Sequence, residues 1–506
     1  MSVIEPTARR EFSLPVSAAQ LSPLVWCAGV FVFALLWQYF LFGVNTDTSW
    51  LITVCERMLA GDRLYVDVLE VNPPMTMWMY MPAVMFAHDI GIAPEAVVYG
   101  YAYLASLTGL GFAAYIARRA EFDENPFLYK MLPVFLALLI VLPAYTFSQR
   151  EHFGVALLLP LLTLLAWRIK ASNDRQPGVW LAVAAGLCGS MIVLVKPYYA
   201  IMIVVPALYV AWRKRSVRWL FTAEYWTILC VCALYLAAAM LIYPEYLRDI
   251  VPVVVDTYAQ HQFVGWTIMF YGAFFLPIIY VFVRFRPGWR SSPLITVVMI
   301  SSIVGLAPLV YQGKAFPYHA LPAFMLAIGA LVCKMFQPGY DVSRNGGFPR
   351  NGLVVLCALS AAFPFILADK TDAAMVQTVR GKISWPTVDM IGTGIQIGHP
   401  FTRMVGGTWT GQHCSDWLGG MAFYFANLSR EAGDDARARH YDDITKTYIA
   451  GRVRTLKTKP PQILLLQKQT NWVNHFLSDP ALDGFMNQYR LIAEDDERSV
   501  FLRIAK

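Results

Sequence analysis

A cluster of acidic residues follows the first long apolar run of the sequence. The run covers residues 24–43 and has the length and composition of a membrane span. Carboxylates close to a membrane surface are costly to remove from water, so a group of them suggests a function. We therefore expect Asp47 to lie in an active site at the outer face of the membrane; an amphipathic surface loop whose acids face water is the alternative. The cluster consists of Asp47, Glu56, Asp62, Asp67 and Glu70.

Three basic residues lie on the outer side of the predicted membrane region, where the positive-inside rule makes Lys and Arg rare. Arg150, Lys196 and Lys314 each lie at or near a predicted helix end, flanked by aromatic or apolar residues. A single such cation is usually an anchor that reaches the interface. Three of them beside a carboxylate-rich loop predict a pocket for a phosphate or diphosphate. A lipid-linked phosphate suits this pocket, because its tail stays in the bilayer while its head enters.

The turn S-Q-R-E-H at residues 148–152 places three polar side chains in succession just before a predicted helix. Arg150 could hold a phosphate there, while Glu151 or His152 could bind a metal ion or orient a neighbour. An Arg–Glu pair that caps the helix is the alternative.

Two further segments of the predicted outer face carry polar candidates. The pair Pro73-Pro74 forces an extended start to a surface helix and fixes the chain beside Glu70 and Asn72, although a plain helix start is the alternative. The loop Y-Q-G-K-A-F-P-Y-H ends at His319, five residues after Lys314. Histidine offers ligands and proton transfer near neutral pH.

The composition defines the class of protein that must position these residues. Of 506 residues, 57% are hydrophobic and 15% are charged, whereas soluble proteins average roughly 25% charged residues. The net charge of +7 comes from short loops between apolar runs, which positive-inside bias explains without a nucleic-acid partner. The polar N-terminus with Arg9 and Arg10 predicts an uncleaved anchor. About eleven membrane helices are predicted, at residues 24–43, 95–117, 127–146, 152–168, 178–195, 198–212, 222–243, 265–284, 293–311, 319–335 and 352–368.

The first outer loop, residues 45–94, is predicted to hold two interfacial helices. The run 74–88 is too short for a comfortable span, and treating it as one would turn every later basic loop to the outside. Residues 48–60 form the second interfacial helix. Of the eight cysteines, Cys55 and Cys414 fall on the outer face, which would allow a disulfide between them.

The composition changes at about Asp369, which divides a membrane module of residues 1–368 from a soluble outer domain of residues 369–506. Strands alternate with helices in the second part, which suggests a small α/β layer domain. The predicted strands are 388–393, 462–467, 489–493 and 499–504, and the predicted helices are 417–428, 434–456 and 472–477.

The chain resembles the GT-C glycosyltransferases, a superfamily that includes the protein O-mannosyltransferases and the bacterial transferases that place aminoarabinose on lipid A. The resemblance rests on the Asp-bearing loop after the first span, the segment G-D-R-L-Y-V-D-V-L-E-V-N-P-P, the Q-R-E-H turn and the K-x-F-x-Y-H loop. It covers nearly the whole chain. The chain departs from the family where Thr48 follows Asp47 and where Glu70 lies three residues before Pro73.

This resemblance implies transfer of a sugar from a polyprenyl-phosphate donor to an acceptor hydroxyl at the periplasmic face of the bacterial inner membrane. Asp47 matches the loop aspartate that acts as catalytic base or positions the acceptor. The partners implied are the lipid-linked sugar, membrane lipids and an acceptor, which is lipid A or its core, another glycan, or a protein. Of the cofactors, only a divalent metal ion at Glu70 and His319 is considered.

In the mechanism we expect, Asp47 accepts the proton of the attacking hydroxyl, and the three cations hold the departing lipid phosphate. The C-terminal domain caps the site or selects the acceptor, and His399 is a candidate contact. Two other functions stay open: a transporter or lipid flippase, and a non-catalytic scaffold subunit. The residues expected to position the sugar or the acceptor are Glu70, Asn72, Glu151, His152 and His319.

Overall fold

The computed structural model describes residues 22–260, 262–284, 292–336, 350–367 and 373–504. Within these ranges the chain is mainly helical, and seven helices are long and apolar enough to cross a membrane. The chain is therefore a multi-pass membrane protein with a small α/β region near its C-terminus, the fold class that the sequence predicts. Arg9, Arg10 and the predicted boundary at Asp369 lie outside the described residues.

Helices form most of the described chain. In order they are α1 (Pro23–Trp37, continued by a π-helical turn Gln38–Phe42), α2 (Thr46–Leu59), α3 (Met75–Ile90), α4 (Pro94–Arg119), α5 (Asn125–Lys130), α6 (Leu132–Ile140), α7 (Arg150–Lys170), α8 (Val179–Val195), α9 (Ile201–Arg213), α10 (Ala223–Ile242), α11 (Val251–Asp256), α12 (Val264–Arg284), α13 (Pro293–Val304), α14 (Leu306–Gln312), α15 (Pro317–Phe336), α16 (Arg350–Ile366), α17 (Ala373–Arg380), α18 (Phe401–Met404), α19 (Trp417–Glu431), α20 (Asp435–Thr458) and α21 (Asn471–Leu477).

Seven of the eleven predicted spans correspond to these long apolar helices. The other four are shorter or broken: α8, α9 and α16 have 17, 13 and 17 residues, and the predicted span 127–146 divides into α5 and α6. Pro133 and Pro143 interrupt this last run, because proline lacks the N–H that an uninterrupted helix needs. The two interfacial helices expected in the first outer loop correspond to α2 and α3.

Helix α7 lies at the centre of the bundle, buried along most of its length, and packs against α4, α8, α13 and α15. Its contact with α4 is very close, since a Cβ atom at Gly109 would lie 2.0 Å from the Ala156 carbonyl oxygen. Small residues allow membrane helices to approach in this way. This packing brings the first turn of α7, which begins at Arg150, into the interior of the protein.

The C-terminal region contains a five-stranded sheet in the order β2-β1-β3-β5-β4. Strand β1 is parallel to β2 and β3, whereas β5 is antiparallel to β3 and β4. The two-residue strand β2 was not predicted, because so short a segment carries no periodic pattern. The strands are β1 (Thr387–Ile391), β2 (Thr408–Trp409), β3 (Ile463–Gln467), β4 (Tyr489–Glu494) and β5 (Arg498–Arg503).

The two ends of the helical bundle differ in chemistry. At one end the basic loops come together: Arg168 forms an ion pair with Glu224 at 2.8 Å, and Lys214 donates to the Ala171 carbonyl at 2.5 Å. At the other end the helices meet the C-terminal region, where Leu69 donates its N–H to the Gln412 carbonyl at 2.8 Å. The candidate residues lie at this second end.

Candidate active site

A cavity of about 820 Å³ lies between this end of the bundle and the C-terminal region. The bundle contributes helix ends and loops to its wall, and the sheet region contributes the segment after β1 and the residues at the start of α19. The structure therefore brings together residues that are far apart in the sequence. Seven of the nine candidates line the cavity, namely Asp47, Glu70, Asn72, Arg150, Lys196, Lys314 and His319.

Asp47 lies in the first turn of α2, and its side chain is 26% exposed. Asn45 caps this helix, because its side-chain oxygen accepts the N–H of Asp47 at 2.9 Å and that of Thr48 at 3.4 Å. The Gln149 amide donates to Asp47 Oδ2 at 3.3 Å and also to Asn45 Oδ1. Asp47 is thus held in position at the cavity wall, with part of its carboxylate still open.

Arg150, the first residue of α7, is buried, although it lines the cavity. Its Nη2 lies 4.0 Å from Asp47 Oδ2, and its guanidinium carbon lies 5.9 Å from the centre of the Tyr318 ring. Among the described residues, neither Nε nor Nη1 has a hydrogen-bond partner. A buried donor without an acceptor costs about 1–3 kcal/mol, and more when it is charged. This arrangement favours an anionic ligand that would accept from the guanidinium.

Lys196 follows α8 and joins two buried side chains. Its Nζ lies 2.5 Å from Glu151 Oε1 and donates to His319 Nε2 at 2.8 Å. Because an ammonium group has no lone pair, His319 must accept at Nε2 and carry its proton on Nδ1. Burial lowers the pKa of Lys196 to about 8, and the Glu151 carboxylate opposes this shift. Glu151 does not line the cavity and contacts it through Lys196.

Lys314 lies in the loop between α14 and α15. Gly313 ends α14 with φ +57°, and a Cβ atom there would lie 2.9 Å from the Val264 side chain, so the loop needs glycine at this position. Lys314 Nζ donates to the Tyr258 carbonyl and lies 4.2 Å from the centre of the Tyr258 ring. Burial lowers the pKa of Lys314 to about 8.

Glu70 is almost fully buried, and its carboxylate connects two parts of the cavity wall. Oε1 accepts the backbone N–H of Asn72 at 2.8 Å and its side-chain amide at 2.5 Å, while Oε2 accepts the Trp50 indole N–H. The Tyr65 hydroxyl donates to the Asn72 carbonyl at 2.6 Å. Glu70 therefore fixes the position of Asn72 and Trp50 at the cavity.

Two predicted contacts, those of His152 and His399, do not line the cavity. His152 lies two residues after Arg150, which places it on the opposite side of α7. Its Nε2 donates to the Leu139 carbonyl at 2.6 Å, and its Nδ1 accepts the Ser148 N–H at 3.3 Å. His399 packs against Trp50 and Trp409 at ring distances of 5.2 and 4.6 Å. Both imidazoles support the wall from behind.

The expected metal ligands both have other partners. The Glu70 oxygens accept three N–H groups, and His319 Nε2 accepts from Lys196. In the part of the chain that the structure describes, no group of three or more His, Cys, Asp and Glu side chains could hold a metal ion. The disulfide considered between Cys55 and Cys414 is wrong, because both thiols are free; Cys55 is buried in α2.

A buried ionic cluster positions the C-terminal part of the wall. Arg452 bonds Asp416 Oδ1 at 2.9 Å and both oxygens of Asp389 at 3.0 and 2.9 Å. Asp416 also accepts the Tyr448 hydroxyl at 2.8 Å and the Gly392 N–H at 3.0 Å. Asp416 lies between the wall residues Ser415 and Trp417, and Gly392 directly precedes the wall segment 393–396. The cluster therefore fixes both segments that the C-terminal region contributes to the wall.

Several wall residues were not among the candidates. Asn45 carries a signal that could have found it, since Asn before a helix with Asp two residues later is a capping pattern. Residues 393–396 follow the carboxyl end of the parallel strand β1, where ligands bind in many sheets. Tyr258 and Tyr318 carry no such signal, because aromatic residues near a membrane surface are common.

Solved structures that are similar to this chain in fold include two forms of one protein. The crystal structure of ArnT from Cupriavidus metallidurans bound to undecaprenyl phosphate superposes with a TM-score of 0.58 at 13% identity, over 96% of this chain and 97% of that chain. Its apo form gives 0.56 at 14% identity, over 95% and 98%. The chain has the GT-C fold. No model of a protein family and no curated protein matches the sequence. The GT-C fold accounts for the polytopic bundle followed by a compact α/β region, the architecture that the sequence resemblance implies.

Proposed function

We propose that the protein is a membrane glycosyltransferase that moves a sugar from a polyprenyl-phosphate donor to an acceptor hydroxyl at the periplasmic face. The observation that carries this proposal is one cavity lined by both Asp47 and Arg150, whose Nη2 lies 4.0 Å from Asp47 Oδ2 and whose Nε and Nη1 have no partner among the described residues. Lys196 and Lys314 line the same cavity. The GT-C fold, shared with a protein that binds undecaprenyl phosphate, supports the choice of donor.

In the proposed reaction, the acceptor oxygen attacks the anomeric carbon of the donor sugar. Asp47 accepts the hydroxyl proton as the new C–O bond forms. The bond between the anomeric carbon and the phosphate oxygen breaks, and the lipid phosphate leaves with the electron pair. Arg150 and Lys314 stabilise the negative charge that grows on that oxygen.

The remaining candidates act around this centre. Lys196 adds a third positive charge, and Glu151 and His319 hold its ammonium group in position. Asn72 contacts the sugar or the acceptor, and Glu70 fixes it in place. In this proposal Glu70 and Glu151 are positioning residues that act through their neighbours.

The test is to incubate purified protein in lipid nanodiscs with polyprenyl-phosphate sugars and candidate acceptors (lipid A, alkyl glycosides and a hydroxyl-bearing peptide) and to measure release of free polyprenyl phosphate. Asp47→Asn should abolish release while the variant still binds polyprenyl phosphate, because the amide keeps the size of the side chain but loses the base. Asp67→Asn is the matched control: this acid lies in the same segment and pairs with Arg63 at 3.0 Å, away from the cavity.

The outcomes separate the functional classes. Normal release by the Asp47 variant would remove this residue from the mechanism. Movement of the lipid across the bilayer without release would favour a flippase. Binding of the lipid with neither release nor movement would favour a scaffold subunit.

A further inference from the structure

The wall that the C-terminal region contributes to the cavity differs in charge from the wall that the bundle contributes. The described residues of this C-terminal wall are 393–396, 414, 415, 417 and 421. None of these residues has an ionised side chain. Burial raises the pKa of the Cys414 thiol, so this side chain is also neutral. In the part of the chain that the structure describes, the charged side chains that line the cavity all belong to the bundle and its loops.

In the proposed reaction, each cation of the bundle wall already has a role. Three cations, Arg150, Lys196 and Lys314, line the cavity. Arg150 and Lys314 bind the departing donor phosphate, and Lys196 pairs with Glu151 at 2.5 Å. A second anion on the acceptor would therefore have no cation left to pair with, and an unpaired charge is costly to bury.

The neutral wall has instead the groups that bind uncharged polar molecules. Trp417, half-buried at the start of α19, packs edge-to-face with Tyr258 at 5.7 Å and 81°. The Gln396 side chain folds over Gly394, where a Cβ atom would lie 2.7 Å from its Oε1. Aromatic surface beside amide and hydroxyl groups suits a ligand that has both C–H faces and hydroxyls.

The wall is also rigid. The Ser415 hydroxyl donates to the Thr393 carbonyl at 2.9 Å, and Gln467 Oε1 accepts the N–H groups of Thr393 and Gly394 at 2.7 and 3.1 Å. The buried cluster around Arg452 fixes the two wall segments from behind. Polar groups held in this way discriminate between ligands, because a mismatched ligand leaves them without partners.

We propose that the acceptor is an uncharged saccharide, bound against Trp417 and Gln396 on the C-terminal wall of the cavity. This rests on the proposed function and deepens it, since it selects a neutral glycan over a phosphorylated or otherwise anionic acceptor. Trp417 packs on the C–H face of the acceptor sugar, and Gln396 binds its hydroxyls. The acceptor hydroxyl then points across the cavity towards Asp47.

The test supplies the donor with matched pairs of acceptors: octyl glucoside, octyl galactoside and octyl mannoside, each with and without a 6-phosphate. We expect sugar transfer to at least one neutral glycoside, with an apparent KM at least tenfold lower than for its phosphate. Equal use of both members of each pair, or transfer to the phosphorylated members alone, would overturn the inference. So would release of polyprenyl phosphate without transfer to any neutral glycoside.

Two variants test the wall itself. Trp417→Ala should raise the acceptor KM about tenfold or more and leave the affinity for polyprenyl phosphate unchanged, whereas Trp417→Phe should keep most acceptor affinity. Trp385→Ala is the matched control, because Trp385 is an exposed indole of the same region outside the cavity. An unchanged acceptor KM in Trp417→Ala would refute the role of this wall.

Failure of the two proposals can be told apart. If no mixture releases polyprenyl phosphate although the lipid binds, the transferase proposal fails. If release and transfer occur but depend neither on the charge of the acceptor nor on the side chain at Trp417, only the acceptor inference fails.

Discussion

The ion pair between Glu151 and Lys196 gives the sharpest test of how the site is built. Glu151 is fully buried, the Lys196 side chain is 12% exposed, and the charged atoms are 2.5 Å apart. At this distance and an effective dielectric constant of about 20, the Coulomb attraction is about 6–7 kcal/mol. Desolvation offsets part of this, so removing one partner should lower the free energy of unfolding by about 3–5 kcal/mol, because it leaves an uncompensated buried charge.

The experiment is a double-mutant cycle with Glu151→Gln, Lys196→Met and the double variant. The free energy of unfolding is measured by SDS titration in mixed micelles. Each single variant should be strongly destabilised, and the double variant should be more stable than the sum of the two changes by about 2–3 kcal/mol. The exposed pair Arg63–Asp67 provides a control cycle, for which coupling below about 1 kcal/mol is expected. Additive effects at Glu151 and Lys196 would refute the reasoning, since they would mean that neither charge depends on the other.

Two predictions concern the phosphate site. Burial lowers the pKa of both Lys196 and Lys314 to about 8, so both are mainly protonated below pH 8 and lose their charge above it. The affinity for polyprenyl phosphate should therefore fall as pH rises from 7 to 9, by up to about tenfold per pH unit for each lysine. Lys314→Arg should make this affinity depend less on pH. An affinity that does not change with pH would contradict the assignment of the two lysines to the phosphate. Lys314→Ala should weaken binding of polyprenyl phosphate by about 10–100-fold, the loss of one charge-assisted bond, with a smaller effect on the acceptor KM; equal losses in both would count against a phosphate role.

The sequence predicts most elements of this fold because their patterns are local. Long apolar runs and basic loops identify the seven long helices, and the alternation of short apolar strands with amphipathic helices identifies the α/β region. Strands β1, β3, β4 and β5 begin within one residue of their predicted positions. The patterns fail where a span is broken by proline or reduced to a few turns, as in α5 and α6, because hydrophobicity alone does not reveal where a helix ends.

The residues of the site also divide into features that the sequence predicts and features that it does not. The sequence by itself identifies the types of group present: an acid after the first span, and cations at Arg150, Lys196 and Lys314 on the side that is otherwise poor in them. It does not reveal which side of a helix turn each one occupies. His152 is only two residues after Arg150 in the sequence, yet the geometry of α7 turns it away from the cavity that Arg150 lines.

Only the tertiary structure decides which of these groups share a cavity and which partners they already have. Glu70 was a candidate metal ligand, but its oxygens accept from Asn72 and Trp50, whereas two nitrogens of Arg150 have no partner among the residues that the structure describes. The neutral wall around Trp417 depends on contacts between the bundle and the C-terminal region. Such contacts join residues hundreds of positions apart, and their energies come from packing and desolvation, which no short stretch of sequence encodes.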